Sequence, residues 1–117
     1  MRFMMLYKPG HETDRRPSQE EMAAMGNLIG EFVKSGVLLA TDGLQSSKKG
    51  ARVKISDGTF SVTDGPFAET KELVGGYAIF QLKSLEEAIE YTKRFLALVG
   101  VGETEIRQMQ DEPGYQQ

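Results

Sequence analysis

Residues 77–87, Tyr77-Ala78-Ile79-Phe80-Gln81-Leu82-Lys83-Ser84-Leu85-Glu86-Glu87, carry the two signals that decide the fold. Strand alternation sends Tyr77 and Ile79 to one face and Ala78, Phe80 and Leu82 to the other, so this strand is apolar on both sides. Ser84 followed three residues later by Glu87 marks a helix start. In such a capping box, hydroxyl and carboxylate satisfy backbone N–H groups that would otherwise be orphaned. The helix that follows should turn Leu85, Ala88, Ile89, Thr92, Phe95, Leu96 and Val99 inward, with Gly100 and Gly102 ending it. A last strand is expected over residues 104–109, then a frayed tail over 111–117.

The first half of the chain repeats this plan. Residues 2–8 read as a strand, with Phe3, Met5 and Tyr7 on one face and Met4 and Leu6 on the other. Pro9 and Gly10 end it, and a polar loop runs to Pro17. Ser18 and Glu21 form another capping box. Met22, Met25, Ile29, Phe32 and Val33 recur at helical spacing, and Gly36 supplies the left-handed stop. Residues 37–41 form a second strand, again apolar on both faces.

Between the halves lies a self-pairing segment. Asp57-Gly58 is a strong two-residue hairpin signal. Counting outward sets Ile55 opposite Phe60 and Val53 opposite Val62 on one face. Lys54 then meets Ser61 and Arg52 meets Thr63 on the other, an agreement that a one-residue slip would destroy. The order is therefore β-α-β-hairpin-β-α-β. That is a ferredoxin-like split βαβ arrangement of the α+β class, an antiparallel sheet with two helices on one face. The 117 residues fit a single domain, expected over 1–110.

Two helices on one face leave the other face of the sheet facing water, where alternation to polar residues is expected. The strands do not alternate that way. Several large apolar residues stay on whichever face the helices leave, from the set Phe3, Met5, Tyr7, Val37, Leu39, Tyr77 and Ile79 or from their neighbours. A wet patch of that size exceeds what soluble monomers usually carry. Two covers are open: a second copy packed sheet to sheet as an isologous dimer, or the hairpin folding back within one chain. The first is the expectation.

Composition narrows the function classes. Net charge is −3 from 14 basic and 17 acidic residues, without the clustered basic face that nucleic-acid binding needs. There is no cysteine, hence no disulfide and no thiolate metal site. The apolar start is too short for a signal peptide or a membrane helix, so a cytoplasmic protein is expected. No Walker-type phosphate loop, Rossmann fingerprint or nucleophile–base pair is visible.

The distinctive stretch is Asp64-Gly65-Pro66-Phe67-Ala68-Glu69-Thr70-Lys71-Glu72, followed by Gly75-Gly76-Tyr77. Asp64 can cap a turn, Gly65 permits conformations other residues resist, and Pro66 restricts the residue before it. Phe67 should anchor the loop, and Gly75-Gly76 marks a bulge or a close approach of backbone or ligand. All nine motif positions match the signature of the DGPF-motif branch of the YCII-related proteins, which the chain resembles along nearly its whole length. The resemblance extends to Tyr7-Lys8, residues 37–44, the hairpin, and Glu105-Ile106-Arg107.

The resemblance implies a ferredoxin-like fold pairing as a dimeric α/β barrel, in a cytoplasmic bacterial protein without an established reaction. Some members of this branch are fused to, or encoded beside, alternative sigma factors, which opens a sigma-factor-type partner to this chain. Other YCII-related proteins have been proposed to be enzymes with a His on the first helix paired with an Asp. Here the one histidine, His11, lies before the helix, so that pair does not carry over.

Asp64, Glu69, Lys71, Tyr7 and Arg107 remain as a candidate polar pocket, an acid/base cleft at the sheet mouth. For three of them there is a plainer account: turn capping and surface charge for Asp64 and Glu69, a carboxylate partner for Arg107. Asp64, Glu69 and Glu72 could also hold a hard cation through oxygen, although no metal or cofactor is expected. Two functions follow. The chain is read as a small-molecule-binding or regulatory module. The alternative is a cofactor-free enzyme with Asp64 or Glu69 as general acid/base on a small organic substrate.

Overall fold

The computed structural model describes residues 1–12, 17–69 and 73–110. In chain order the elements are strand β1 (Arg2–Lys8), helix α1 (Gln19–Lys34), strand β2 (Leu38–Gly43), a 3₁₀ turn (Ser47–Lys49), strands β3 (Ala51–Ser56), β4 (Thr59–Asp64) and β5 (Gly76–Gln81), helix α2 (Leu85–Val99) and strand β6 (Glu103–Gln108). Four strands form one sheet in the order β2-β5-β1-β6, and β3 with β4 forms a second, separate one. All pairings are antiparallel. This is the ferredoxin-like split βαβ order with a hairpin inserted between its halves.

The register assigns the faces. Met5 lies opposite Ala78 on one side and Ile106 on the other, and Phe3 lies opposite Phe80. Directly opposed residues share a face, so Phe3, Met5, Ala78, Phe80 and Ile106 all point toward the helices. There they meet Phe32 and Leu28 of α1 and Ala88 and Tyr91 of α2 in the core. Phe3 and Ala88 are wholly buried. Phe32 stacks edge-on against both Phe80 (5.5 Å between centroids) and Tyr91 (5.0 Å), which locks the two helices to the sheet. Thr92 Oγ1 donates to the Ala88 carbonyl at 2.9 Å and lies 3.3 Å from Met5 Sδ. Across the helix pair, Arg94 grips Glu31 with two bonds of 2.6 and 2.8 Å.

Two rows cross the open face, Ala40-Ile79-Met4-Arg107 and Asp42-Tyr77-Leu6-Glu105. The centre of this face is therefore apolar, and its β6 side is charged. Lys8 and Arg107 both bond Glu105 there, at 2.8 and 3.2 Å. Within one chain Met4, Leu6, Tyr77 and Ile79 are half-buried by their neighbours.

The start of α1 is built as a capping box requires, and the start of α2 only in part. Ser18 Oγ accepts from the Glu21 N–H while the Glu21 carboxylate accepts from the Ser18 N–H. At α2 the Ser84 hydroxyl accepts from the Glu87 N–H, but the Glu87 carboxylate reaches one residue further back, to the Lys83 N–H.

The inward stripes are narrower than their spacing implies. Val33 and Ile89 are exposed, because each stands about 100° round its helix from a buried residue, Phe32 or Ala88. Met22 and Leu85 sit in the first turns and are exposed too. Leu28 and Tyr91 take their places against the core. Strand β2 begins one residue later than its apolar run, and a register shift between Leu38 and Ala40 leaves Leu39 exposed.

The hairpin pairs as counted: Val53 with Val62, Ile55 with Phe60, Lys54 with Ser61, Arg52 with Thr63. Asp57 and Gly58 both take positive φ, 52° and 77°, as a type I′ turn requires. It does not fold back as a cover for the open sheet face. Its own apolar residues Val53, Ile55, Phe60 and Val62 are 68, 60, 69 and 63% exposed. No helix of the described residues is long and apolar enough to cross a membrane.

Candidate functional site

The helix-facing side of the sheet is not completely filled. A cavity of about 380 Å³ opens between β1, β5 and the helices, with Met5, Ala78 and Phe80 from the strands and Ile29, Phe32 and Phe95 from the helices in its wall. It lies in the size range of small-molecule sites. Its position follows from the glycines on the β5 side. A Cβ at Gly76 would stand 2.9 Å from the Asp42 carbonyl, and one at Gly75 would press Pro9 and Tyr7 at 3.2–3.4 Å. Two small residues therefore let the 73–76 segment run close beneath β2 and the end of β1. Gly75 is fixed there by its N–H to the Tyr7 carbonyl (2.7 Å) and its own carbonyl from the Leu44 N–H (3.0 Å).

Tyr7 stands at the wall shared by this cavity and a wider outer cleft formed by α1, the end of α2 and the 9–12 and 44–46 loops. Its ring packs edge-on against Phe95 at 5.1 Å, and its hydroxyl donates to the Val101 carbonyl at 2.7 Å. Burial raises the phenol above its ordinary value. Thr104, opposite Tyr7 on β6, also lines the cavity. Its hydroxyl oxygen is buried and has no hydrogen-bond partner among the described residues. Alternation with Ile106 on the helix-facing side of β6 is the sequence signal that could have singled it out.

Glu12 is a polar anchor that nothing in the sequence marks. Its carboxylate accepts from the Ser47 N–H at 2.7 Å and from the Ser47 hydroxyl at 2.8 Å. These bonds, the backbone one first, hold its pKa below the ordinary value. Ser47 Oγ in turn accepts from the Phe67 N–H at 3.0 Å. The Asp64–Phe67 stretch thus docks on the 3₁₀ turn. Gly65 donates to the Gly50 carbonyl (3.0 Å), and a Cβ at Gly65 would fall 1.6 Å from the Ser47 oxygen. Only glycine fits. The Gly65–Pro66 peptide bond is cis. Phe67 lies beneath the Arg52 guanidinium, 3.9 Å from ring centroid to Cζ.

The described residues singled out from the sequence, Tyr7, Asp64, Glu69 and Arg107, do not converge within one chain. Tyr7 lines the cavity, while Arg107 extends from the opposite face of the sheet toward Glu105. Asp64 closes β4 opposite Ala51. Glu69 bonds Arg52 at 3.4 Å on the surface, and its own backbone N–H, then Arg52, hold its carboxylate below the ordinary range. Lys71 and Glu72 lie outside the described residues, as does the tail over 111–117. The plainer accounts thus describe Glu69 and Arg107, and the shift at Glu69 runs opposite to the raised carboxylate an acid/base role requires. His11 lines the outer cleft, as do Glu12, Glu20 and Glu21. Among the described residues no group of three or more His, Asp or Glu side chains is arranged to hold a metal ion.

Comparison with known proteins gives the setting. The sequence profile of the YCII-related domain matches residues 1–110. An uncharacterized protein of Rhizobium meliloti (strain 1021) is 29% identical over 93 residues, covering 77% of this chain and 75% of its own length. Among solved structures, the chain superposes on 5-chloro-2-hydroxyhydroquinone dehydrochlorinase of Burkholderia phenoliruptrix AC1100, in complex with 2,5-dihydroxybenzoquinone, with a TM-score of 0.52. That likeness covers 97% of this chain and 98% of the other at 12% identity, which speaks to fold alone.

Proposed function

The chain belongs to the YCII-related domain family, and from that premise we propose that it is a homodimeric small-molecule-binding module whose ligand occupies the cavity between sheet and helices. The carrying observation is the cavity itself: an apolar, aromatic-walled space with a few fixed polar groups, the usual make-up of a ligand site. Tyr7 is kept from the sequence-derived set as a wall of that site. Asp64, Glu69 and Arg107 are assigned to loop docking and surface pairing.

The dimer rests on the centre of the open sheet face. Met4, Leu6, Tyr77 and Ile79 form an apolar patch that no helix covers, and the hairpin keeps its own apolar face in solvent. A second copy placed sheet to sheet removes the patch from water. Substituting Ile79→Lys puts a charge in that contact. Sedimentation of the parent chain at twice 13.0 kDa, and of the variant at 13.0 kDa, is the expected result. A parent chain that sediments as 13.0 kDa at micromolar concentration overturns the dimer.

The binding reading itself is tested by thermal shift against a panel of small metabolites, with affinity capture run beside it for a sigma-factor-type partner. A panel that moves nothing and a capture that retains nothing count together against it. The enzymatic alternative draws less support. The dehydrochlorinase it resembles in fold is an enzyme, but in this chain Glu69 is ion-paired with a lowered pKa, and neither Glu69 nor Asp64 lines the cavity.

A further inference from the structure

The apolar side of the β3–β4 hairpin is a surface that neither the core nor the cavity uses. Val53 meets Val62 and Ile55 meets Phe60 on that side, and Ala51 with Asp64 ends it at the hairpin base. Arg52, Lys54, Ser61 and Thr63 occupy the other side. Within one chain the four large residues are exposed, and neither strand packs extensively on another helix or strand of the described residues. The hairpin projects from the body. The radius of gyration is 16.3 Å, against about 13 Å for a compact domain of this length. A two-stranded hairpin held in this way is marginal in water unless its apolar side is covered.

The chemistry of its two sides selects the cover. Val53, Ile55, Phe60 and Val62 make an uncharged surface, so a copy of the same surface meets it without burying an unpaired charge. The outer cleft offers apolar side chains too, but Glu12, Glu20 and Glu21 line it, and an apolar face laid there would strip water from their carboxylates. On a membrane, Arg52 and Lys54 would point away from the lipid that the apolar side enters.

The placement of the hairpin agrees with a second copy. Arg52 lies over Phe67, the Phe67 N–H donates to Ser47, and Ser47 donates to Glu12 at the outer cleft, on the helix side of the sheet. The polar side of the hairpin is thus the one tied to that flank, which turns the apolar side from it. The chain measures 46 × 43 × 19 Å, so the hairpin lies within the slab of sheet and helices instead of rising above it. Sheets packed face to face sit about 10 Å apart, a spacing that suits two hairpins as well as two larger sheets. One twofold axis then serves both contacts.

We propose that the hairpin is a dimerisation arm. About the axis that pairs the open sheet faces, Val53, Ile55, Phe60 and Val62 pack against the same residues of the second copy and close a four-stranded sandwich. The inference rests on the homodimer reading and adds a second contact to it.

The cysteine-free sequence allows a clean test in the full chain. Phe60 and Ser61 are adjacent and lie on opposite sides of the hairpin. With a short bis-maleimide at low protein concentration, Phe60→Cys should run on a denaturing gel at twice 13.0 kDa, and Ser61→Cys at 13.0 kDa. In sedimentation equilibrium, Phe60→Ser should raise the dimer dissociation constant about tenfold or more, the effect of leaving one large apolar side chain in water. An unchanged dissociation constant in Phe60→Ser, or equal cross-linking at both positions, overturns the arm. The sheet-face dimer then stands, and the hairpin is left to a different protein or a membrane. A weakened dimer without cross-linking of Phe60→Cys overturns the hairpin-to-hairpin contact and puts the arm on the body of the second copy. A parent chain at four times 13.0 kDa that Phe60→Ser returns to twice that mass overturns the shared axis. A parent chain at 13.0 kDa overturns the homodimer reading together with the arm.

Discussion

Phe3 and Phe60 stand in strands of the same period-two pattern, yet Phe3 is wholly buried and Phe60 is 69% exposed. The four-stranded sheet and the β3–β4 hairpin differ in this respect throughout. In the sheet, the inward residues Phe3, Met5 and Phe80 pack into one core with the helices. In the hairpin, Val53, Ile55, Phe60 and Val62 align on one face with nothing of the described chain upon it. Alternation therefore dictates which residues share a face, but says nothing about whether that face is covered. A two-stranded hairpin is marginal in water without a surface to pack on. What secures this one is its base, where Gly65, Phe67 and Arg52 tie it to the 3₁₀ turn and to the loop beyond.

The sharpest way to test that contrast is to truncate both rings. Phe3→Ala should cost about 3–5 kcal/mol, as expected for a large aromatic deleted from a packed core. Against a total of roughly 5–15 kcal/mol that is severe, and the urea midpoint should fall accordingly. Phe60→Ala should change the stability of a single chain by no more than about 0.5 kcal/mol. A loss at Phe60 that grows with protein concentration would instead mean that a second copy covers the hairpin as well.

The next test attacks the base of the hairpin. Gly65→Ala places a methyl where the Ser47 carbonyl already lies, 1.6 Å away, so either the turn or the hairpin must move. Overpacking of this kind costs about 1–3 kcal/mol. The consequence should be local. Amide exchange should rise in β3 and β4 while β1 and β5 stay protected, because those central strands draw their stability from the core. Equal loss of protection in both sheets would show the two regions to be one cooperative unit.

How much of this was legible in the sequence follows the same division. Strand register in the hairpin came straight from Asp57-Gly58, because a two-residue turn leaves one pairing and the side-chain period does the rest. Helix starts were legible for a similar reason, since Ser18 and Ser84 act on N–H groups three residues away. Long-range choices were not. Tyr91, on the flank of the α2 stripe, becomes core because Phe32 of α1 arrives beside it. The register shift in β2 that turns Leu39 outward depends on β5, about forty residues on. At the site, the nine-residue motif drew attention to Asp64 and Glu69, yet its glycine and phenylalanine are what the docking uses. Glu12 and Thr104 gave no motif at all. One is a loop carboxylate whose partners lie 35 residues away, and the other is a single hydroxyl on a strand with two polar-looking faces.

The smallest expected effect lies where the two helices clasp each other above the sheet. Arg94 bonds Glu31 through both guanidinium nitrogens and lies 5.1 Å from the Phe32 ring, so the pair closes over the aromatic centre of the core. The Arg94 hydrogen bond is the main reason the Glu31 carboxyl titrates below its ordinary value near 4.5. A carboxylate whose folded pKa lies below its unfolded one adds stability at pH above the unfolded value, and loses it as pH falls through the folded value. Both side chains are about half exposed, so water and salt screen the gain. Glu31→Gln should therefore lower the melting temperature slightly at pH 7. The gap to the parent chain should close as pH falls below the ordinary carboxylate range, and shrink again at high salt. A gap of equal size at pH 7 and pH 3 would assign the contribution of Glu31 to packing over Phe32 instead of to its charge. The clasp would then belong with the core, whose stability does not follow pH, and its contrast with the ion-paired hairpin base at Arg52 and Glu69 would sharpen.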